Sequence, residues 1–222
     1  MNTPRTDTEK PLHTIGILGS GRVGATLAGK LAGAGHHVTV GTRTATRPDD
    51  WTGPDLAFAD HRGTARDAEI VINATPGDSA LERLAALRED LAGSILVDVS
   101  NATRHGADGM PGALRYPGSS LAEHLQDALP TTRVVKTLNT MLYSVMADPC
   151  SLSVPPTAFL SGDDPDAKVV VSDLLGDLGW PPEWIMDLGG INTARGTEAL
   201  VLLVPHVLRS RGFAPFALTL AS

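Results

Sequence analysis

A glycine-rich turn between two apolar segments constrains this chain more than any other feature of its sequence. Residues 14–18 read Thr-Ile-Gly-Ile-Leu, and residues 19–24 continue as Gly-Ser-Gly-Arg-Val-Gly. Over Arg22–Ala34 apolar residues recur every four positions, which is typical of a helix with one buried face. The sequence therefore predicts a strand, a tight turn and a helix in direct succession, which is how a βαβ unit begins.

Each glycine of this turn has its own physical role if the turn binds a dinucleotide. Gly19 allows the tight turn, Gly21 lets the backbone approach a pyrophosphate, and Gly24 lets helix and strand pack closely. The first N–H groups of the helix then face the phosphates. Glycine accounts for 23 of the 222 residues, so the spacing alone is weak evidence, and a turn without a ligand is the alternative. The position directly after an apolar strand favours the dinucleotide site.

The residues after the second predicted strand indicate which nicotinamide cofactor is preferred. An NAD site usually carries Asp or Glu about 20 residues beyond the glycines, bound to the ribose 2′-OH. No Asp or Glu occurs from Gly16 through Pro48, whereas Thr42, Arg43 and Arg47 do occur there. Because arginine binds phosphate through two parallel hydrogen bonds and stays charged, this pattern favours the 2′-phosphate of NADP(H). Two solvated surface arginines are the alternative.

Apolar runs at intervals along the chain predict an α/β protein. Residues 70–72 and 95–97 are apolar at consecutive positions, which is typical of parallel strands covered by helices on both faces. The fold class predicted is a Rossmann-type doubly wound parallel sheet with a smaller C-terminal α/β domain. Strands are predicted at Thr14–Leu18, His37–Gly41, Leu56–Phe58, Ile70–Ala74, Ile95–Val99, Val134–Leu138, Ala158–Ser161 and Trp184–Leu188, and helices at Arg22–Ala34, Ser79–Leu91, Asp166–Leu178 and Asn192–Val204.

A change of composition suggests how the chain is divided. The stretch Asp148–Pro156 is rich in Pro and Ser, and it is interpreted as a soft boundary. Residues 1–12 are polar and aperiodic, so a flexible arm is expected there. The prediction is therefore an arm at 1–12, an NADP-binding domain at 13–147 and a small C-terminal domain at 148–222.

The composition excludes several classes of protein. With 18 Lys and Arg against 25 Asp and Glu, the net charge is −7, which argues against general electrostatic binding of nucleic acid. A single cysteine, Cys150, excludes an internal disulfide and a cysteine-built metal cluster, and no metal site is predicted. Met1–Pro11 lacks the apolar core of a signal peptide, and the apolar run Ala199–Val204 is too short to span a membrane. A cytoplasmic protein without nucleic-acid or membrane partners is expected.

Further segments carry a resemblance to a known family. The chain resembles the NADP-dependent oxidoreductases that act with coenzyme F420, a family that is similar to the cytosolic reductase domain of metalloreductases. The glycine fingerprint is common to many dehydrogenases, whereas the segments at 136–141 and 187–191 are much more specific. The matching segments are Asn73-Ala74-Thr75-Pro76, Asp98-Val99-Ser100-Asn101, Val134-Val135-Lys136-Thr137-Leu138-Asn139-Thr140-Met141, Asp187-Leu188-Gly189-Gly190-Ile191 and Ala194-Arg195-Gly196.

The resemblance implies an activity and a set of binding residues. It implies a deazaflavin ring stacked against the nicotinamide in a cleft between the two domains, with hydride passing between them. After Pro205 the tail from Val207 to Ser222 departs from the family pattern, so the wall beside the second substrate is not assigned. By position, the resemblance assigns Ser20, Arg22 and Val23 to the pyrophosphate, Thr42, Arg43 and Arg47 to the 2′-phosphate, Ala74, Thr75 and Pro76 to the flank of the cofactor, and Asn101, Asn139, Thr140 and Met141 to the nicotinamide end.

The sequence offers no evident proton donor for carbonyl chemistry. Tyr116 and Tyr143 lack a lysine four residues later, and no other acid–base pair is evident. Hydride transfer between two bound cofactors needs no such group from the protein, so no catalytic residue is assigned. Three functions stay open: hydride exchange between NADP(H) and coenzyme F420, NADPH-dependent reduction of a small imine or carbonyl, and a non-catalytic NADPH-binding module. In each case the partner is a small molecule.

The C-terminal region predicts a homodimer. Residues 199–204 are apolar on all sides of the predicted helix, and Phe213 and Phe216 follow. A helix without a polar face must be covered on every side, and a second subunit is one such cover. A helix that fills the core between the two domains is the alternative.

Overall fold

The computed structural model describes residues 11–220 and is organised around a six-stranded parallel sheet. The strand order is β3-β2-β1-β4-β5-β8, the order of a dinucleotide-binding doubly wound sheet. The predicted Rossmann-type α/β fold is thus confirmed. The strands are β1 (Thr14–Leu18), β2 (His37–Thr42), β3 (Ala57–Asp60), β4 (Ile70–Asn73), β5 (Ile95–Asp98), β6 (Thr103–His105), β7 (Pro111–Leu114), β8 (Arg133–Lys136), β9 (Ala158–Leu160) and β10 (Ile185–Asp187).

Eight α-helices occur in residues 11–220, and none of them is long and apolar enough to cross a membrane. Short 3₁₀ turns at Pro149–Ser151, Pro182–Trp184, Ile191–Thr193 and Leu200–Leu203 separate some of these elements. The helices are α1 (Arg22–Gly33), α2 (His61–Arg66), α3 (Ala80–Ala85), α4 (Leu121–Ala128), α5 (Tyr143–Met146), α6 (Pro165–Asp177), α7 (Ala194–Ala199) and α8 (Val204–Arg211).

Alternation along the consecutive apolar runs explains why the sheet is buried on both faces. In β4, Ile70 and Ile72 belong to one hydrophobic cluster and Val71 to another, and β5 divides in the same way. Helices α1 and α6 contribute to the first cluster, whereas α3 and α4 contribute to the second. Successive strand residues point to opposite faces, so each consecutive apolar run supplies both cores.

Two predicted helices differ from those observed. Of the predicted helix Ser79–Leu91, only α3 is α-helical. In the turns that follow, hydrogen bonds join residues three positions apart, such as Leu87 N–H to the Leu84 carbonyl, instead of four. The predicted helix Asn192–Val204 is divided into a 3₁₀ turn, α7, a second 3₁₀ turn and the start of α8. Pro205 lacks an N–H and would clash with the Val201 carbonyl in a continuous α-helix, which accounts for the 3₁₀ turn just before α8.

Some observed elements are absent from the prediction, and the predicted ends of several strands differ slightly from the observed ones. The prediction omitted the β6–β7 hairpin and helices α2, α4, α5 and α8, which lie in segments without long apolar periodicity. The bounds predicted for β1 are those observed, and the ends of the other predicted strands differ from the observed ones by at most two residues. Most of the predicted N-terminal arm at 1–12 lies outside the described residues.

The C-terminal part of the chain packs on the same core as the glycine-rich half. Strands β9 and β10 form a parallel pair, and Ser161 joins Lys136 of β8 through an antiparallel bridge. Side chains of β9 and α6 share a cluster with those of β1 and α1. The tail then returns to the strand edge, where Leu142 N–H donates to the Phe216 carbonyl and Leu218 N–H to the Thr140 carbonyl. A domain boundary near 148 stays a prediction.

A buried lysine links the end of the sheet to the C-terminal helices. Lys136 is 1% exposed and pairs with Asp98 of β5 at 2.7 Å and with Glu198 of α7 at 3.0 Å. Burial acts to lower the pKa of Lys136, but the two carboxylates outweigh it, and the pKa is raised above its usual value. Glu198 also accepts the N–H groups of Leu121 and Ala122 at the start of α4. One cation thus joins two strands and two helices.

Replacing this lysine is expected to destabilise the fold strongly. In Lys136→Met two carboxylates stay buried without their cation, so we expect the free energy of unfolding to fall by about 3 kcal/mol or more. Urea denaturation followed by circular dichroism measures this change. Lys30→Met, at an exposed position in the last turn of α1, is the matched control. A loss below about 1 kcal/mol for Lys136→Met would contradict the assigned role, since that is the range of an exposed pair.

Candidate functional site

A cleft of about 760 Å³ lies at the carboxyl ends of the central strands. Open parallel sheets bind ligands at this edge, where the strand order reverses between β1 and β4. The cleft extends from the glycine-rich turn to α5. It is lined by Gly19, Ser20, Gly21, Val23, Gly41, Thr42, Arg43, His61, Ala74, Thr75, Pro76, Gly77, Arg83, Val99, Ser100, Asn101, Met141, Leu142, Tyr143 and Met146.

Two positions of the glycine-rich turn require glycine because of the protein's own backbone conformation and contacts. Gly19 has a φ of 110°, which side chains with a Cβ rarely adopt, and its N–H donates to the Gly41 carbonyl at 3.1 Å. A Cβ on Gly24 would overlap the carbonyl oxygen of Gly19. A side chain is therefore excluded at Gly19 by its backbone conformation and by the Ala74 carbonyl, and at Gly24 by the close approach of α1 to the turn.

Gly21 differs, because nothing in the described chain requires a glycine there. It has φ −75° and ψ −173°, ordinary extended backbone, and a Cβ would meet no atom within 4 Å. Gly21 caps α1 without a side-chain hydrogen bond, so the first N–H groups of the helix face the cleft. The vacant volume beside it and these free donors suit a pyrophosphate. The residues present therefore fit a dinucleotide.

Three basic side chains line the cleft near the end of β2. Arg43 follows β2, His61 begins α2 and Arg83 lies on α3, and all three line the cleft beside Thr42. The His61 ring packs against Gly41, and its Cδ2 atom lies 3.2 Å from the place that a Cβ on Gly41 would take. Burial and the charge of Arg83 lower the pKa of His61 below its usual value, and Arg43 acts in the same direction.

The opposite end of the cleft is held by a network of side-chain hydrogen bonds. The Asn73 amide donates to Asp98 at 2.8 Å, and the Thr75 hydroxyl donates to Asn73 at 2.6 Å. Ser100 donates its hydroxyl to the same Asp98 carboxylate, which also pairs with Lys136. The ends of β4, β5 and β8 are thereby fixed relative to one another.

A second pocket of about 350 Å³ adjoins the cleft. Asn101 and Met141 line both cavities. Asn101 and Asn139 hold the wall together, because each donates from its amide to an oxygen of the other, at 2.8 Å and 2.9 Å. The remaining walls come from the C-terminal part and consist of Leu200, Val201, Leu203, Val204, Val207, Arg211, Phe216, Ala217 and Leu218, together with Thr140.

Backbone strain marks the chain where it enters this second pocket. Leu138 is buried and has a φ of 57°, a region that side chains with a Cβ seldom occupy. Residues held in this way persist only where their surroundings enforce them, and they cluster at functional sites. Leu138 directly precedes Asn139 and Thr140, which both line the pocket.

The structure brings most of the predicted binding residues to the cleft. Asn139 and Thr140 lie in the adjoining pocket instead, and Arg22 is exposed outside both cavities. Arg47 also lies outside them and pairs with Asp55 at 3.5 Å, so its contact with a 2′-phosphate stays a prediction. Those that line the cleft are Gly19, Ser20, Gly21, Val23, Thr42, Arg43, Ala74, Thr75, Pro76, Asn101 and Met141.

The sequence did not single out several residues that line the cleft. His61 and Arg83 lie in elements that carry no motif, and only their positions after β3 and β4 place them at the ligand edge. Their position in the chain is a signal that could have found both residues, because side chains that follow parallel strands lie at the ligand-binding edge of the sheet. In residues 11–220 no group of three or more His, Cys, Asp or Glu side chains could hold a metal ion.

Comparisons with known proteins agree with this geometry. The family model "NADP oxidoreductase coenzyme F420-dependent" matches residues 14–102. The crystal structure of a candidate F420-dependent NADP-reductase from Arthrobacter sp. FB24 is 40% identical, with a TM-score of 0.86, and the match covers 95% of this chain and 100% of that one.

Two curated relatives are more distant. Metalloreductase STEAP3 of Rattus norvegicus is 32% identical over 194 residues, 87% of this chain and 37% of the relative. The F420-dependent NADP reductase of Methanocaldococcus jannaschii is 26% identical over 151 residues, 68% of this chain and 66% of the relative. The chain therefore spans about a third of the length of the metalloreductase and about two thirds of that of the archaeal reductase.

Gly21→Val is expected to abolish dinucleotide binding without unfolding the protein. The two added methyl groups enter empty space beside the first turn of α1, where the pyrophosphate would lie. We expect NADPH affinity in calorimetry to fall by about a hundredfold or more, equivalent to about 2.7 kcal/mol. Gly33→Val, at the other end of α1 and also free of contacts, is the control. A folded Gly21→Val protein with unchanged NADPH affinity would refute the site.

Proposed function

The chain belongs to the NADP oxidoreductase family described as coenzyme F420-dependent, and we propose that it transfers a hydride between NADP(H) and the deazaflavin ring of coenzyme F420. It is an NADP-dependent oxidoreductase; the deazaflavin is the proposed second substrate. The observation that carries the proposal is the meeting of two cavities at Asn101 and Met141. The larger cavity suits a dinucleotide, and the smaller one suits a planar apolar ring.

Residues of the larger cavity have separate roles in holding the cofactor. The N-terminus of α1 and Gly21 would bind the pyrophosphate, and Thr42 with Arg43 would bind the 2′-phosphate. Bound NADPH would supply a hydride from its nicotinamide ring. Thr75 is held by Asn73 and therefore fixes the wall of the cleft between the two ends.

The residues at the junction position the reacting rings. Asn101 is fixed by Asn139, so its side chain cannot rotate away from the shared wall. Met141 is 8% exposed and presents an apolar, polarisable surface to both cavities. Orientation of this kind contributes to rate by keeping the two reactants in a reactive arrangement.

The smaller pocket lacks the groups that carbonyl reduction requires. Among the described residues that line it, Arg211 is the sole ionisable one, and a guanidinium does not release a proton at working pH. Reduction of a ketone or imine needs a proton donor near the hydride acceptor. Transfer to a deazaflavin needs none from the protein, and Arg211 suits an anionic group on such a substrate. Apolar side chains of α8 and the tail exclude water.

Narrowing the smaller pocket is expected to stop hydride transfer while preserving NADPH binding. Val207→Trp adds bulk to the wall of the 350 Å³ pocket, whereas Ser210→Trp introduces the same side chain at an exposed position of α8 outside it. In an absorbance assay of NADPH with oxidised coenzyme F420, we expect Val207→Trp to lower the rate by about tenfold or more, and Ser210→Trp to retain it. NADPH affinity should change less than about twofold in both.

Other outcomes of this assay would overturn the proposal. NADPH oxidation by wild-type protein with small imines or ketones, and none with coenzyme F420, would indicate a reductase of small substrates. Tight NADPH binding with no turnover on either class would indicate a non-catalytic binding module. An equal rate of hydride transfer in Val207→Trp and wild-type protein would show that the second substrate does not bind in this pocket.

The exposed apolar side chains of the C-terminal part support a homodimer. Phe213 is 69% exposed, Leu220 58% and Leu203 47%, although the segment is divided and is not one helix buried on all sides. Exposed apolar groups of this size are typical of a protein–protein surface, and Leu203 also lines the smaller pocket. A second copy of the chain would cover them and add to the pocket wall.

Light scattering tests the dimer. We expect a dimer mass at micromolar concentration, and Phe213→Asp should shift the mass toward the monomer because a charge is costly in an apolar interface. Specific activity should fall on dilution together with the mass. A monomer mass for wild-type protein with full specific activity would rule out the dimer.

A further inference from the structure

Arg83 carries a donor that the protein itself does not use. Its Nη2 donates to the Ser79 hydroxyl at 3.0 Å, which fixes the guanidinium against the first turn of α3. Its Nη1 is buried and has no hydrogen-bond partner in the described part of the chain. An unpaired buried donor on a charged group is costly, so its retention points to a ligand that pairs with it. Arg83 lines the cleft, where such a ligand would be reached.

The surroundings of Arg83 indicate that this ligand is an anion. Within residues 11–220 no carboxylate lies within ion-pair distance of Arg83 or of Arg43. His61 lies near both arginines, since each of them lowers its pKa. The Asp60 carboxylate acts on His61 in the opposite sense, but it already accepts the Gly63 N–H at the start of α2. Two guanidinium groups and an imidazole thus face the same part of the cleft without a neutralising partner.

Position along the cleft identifies the anion. Arg43 and Thr42 follow β2, and this strand end is where the ribose 2′ substituent lies in a sheet of this order. His61 is held on the same strand end, because glycine at 41 leaves room for its ring. The pyrophosphate would lie elsewhere, at the N-terminus of α1.

We propose that Arg43, His61 and Arg83 together form a clamp for the 2′-phosphate of NADP(H), and that His61 takes up a proton when the phosphate enters. This proposal rests on the proposed cofactor site and extends it to two residues on α2 and α3. Arg83 supplies the donor that its own surroundings leave unpaired. His61 adds a charge that depends on the ligand.

The protonation of His61 follows from the groups around it. In the free protein, burial first, then Arg83, and also Arg43 lower its pKa, against the opposing effects of the Gly41 carbonyl and Asp60. The imidazole is therefore neutral at pH 7. A 2′-phosphate carries a charge between about −1.5 and −2 and favours the protonated ring, so it raises the pKa. Phosphate binding and proton binding are then linked, and the affinity for NADPH increases as the pH falls toward the lowered pKa of His61 in the free protein.

Calorimetric titration of NADPH and NADH separates this clamp from a general role in cofactor binding. We expect Arg83→Met to lower the affinity for NADPH by about tenfold or more and the affinity for NADH by less than about twofold, because only NADPH carries the 2′-phosphate. Arg88→Met, exposed beyond α3 and outside the cleft, is the control for charge and should change neither affinity. Equally weakened binding of NADPH and NADH in Arg83→Met would place this side chain on a part that both cofactors share and overturn the clamp.

A second measurement tests the proton. NADPH is titrated at pH 7.5 in buffers of different ionisation enthalpy, so that the dependence of the observed heat on the buffer gives the protons taken up. We expect wild-type protein to take up protons when it binds NADPH and to take up few when it binds NADH. In His61→Gln this difference between the two cofactors should disappear. Denaturation of each variant checks that it is folded. Identical proton uptake by wild-type protein and His61→Gln would refute the role of His61.

The same titrations distinguish failure of the clamp from failure of the proposed function. If wild-type protein binds NADPH and exchanges hydride with coenzyme F420 but the variants keep the wild-type preference for NADPH, the clamp alone is wrong. If NADPH binds and the clamp variants lose that preference while coenzyme F420 is not reduced, the proposed substrate alone is wrong. If wild-type protein does not bind NADPH, both are overturned.

Discussion

The buried ion cluster around Lys136 is the interaction on which the rest of the structure depends. It joins β5 and β8 through Asp98, and it joins both strands to the C-terminal part through Glu198. Glu198 in turn receives the first N–H groups of α4, so a helix end is satisfied by a side chain from α7. A buried charge is tolerated only when its partners are complete, and these contacts therefore require the described elements to assemble together. The position of α7 beside the sheet follows from this requirement, and the second pocket takes its wall from the chain that follows α7.

The same cluster continues into the cleft through Asp98. That carboxylate receives the Lys136 ammonium, the Asn73 amide and the Ser100 hydroxyl, and Asn73 holds Thr75. Hydrogen bonds in such a network strengthen each other in a medium of low dielectric constant. The wall at the proposed nicotinamide end is thus fixed by contacts within the protein. The proposed adenosine end is different, since Arg83 keeps an unpaired donor and His61 a lowered pKa. On the proposed function, the rigid wall would lie where hydride passes, and the unsatisfied charge would lie where the cofactor is recognised.

The sequence predicts what is local and omits what only the assembled fold brings together. The turn at Gly19, the parallel order of the strands and the basic residue Arg43 follow from the glycine spacing, the consecutive apolar runs and the missing acid. His61 and Arg83 belong to elements without a motif, and they meet Arg43 only because β3 and β4 end at the same edge of the sheet. The apolar segment before Pro205 was predicted as one helix because periodicity reports burial, whereas the missing N–H of proline decides the hydrogen bonding.

The charge distribution along the two cavities has a consequence for the chemistry between them. The chain carries a net charge of −7, yet the side chains that line the ends of the joined cavities are cationic, with Arg43 and Arg83 at one end and Arg211 in the smaller pocket. An acidic protein repels anionic ligands in general, so anions that bind must do so at these local positive sites. The junction contains the neutral side chains of Asn101 and Met141. Two anionic ligands held at opposite ends would therefore meet through their uncharged rings at the neutral junction. On the proposed function, selectivity would come from the charged ends and hydride transfer would take place at this junction.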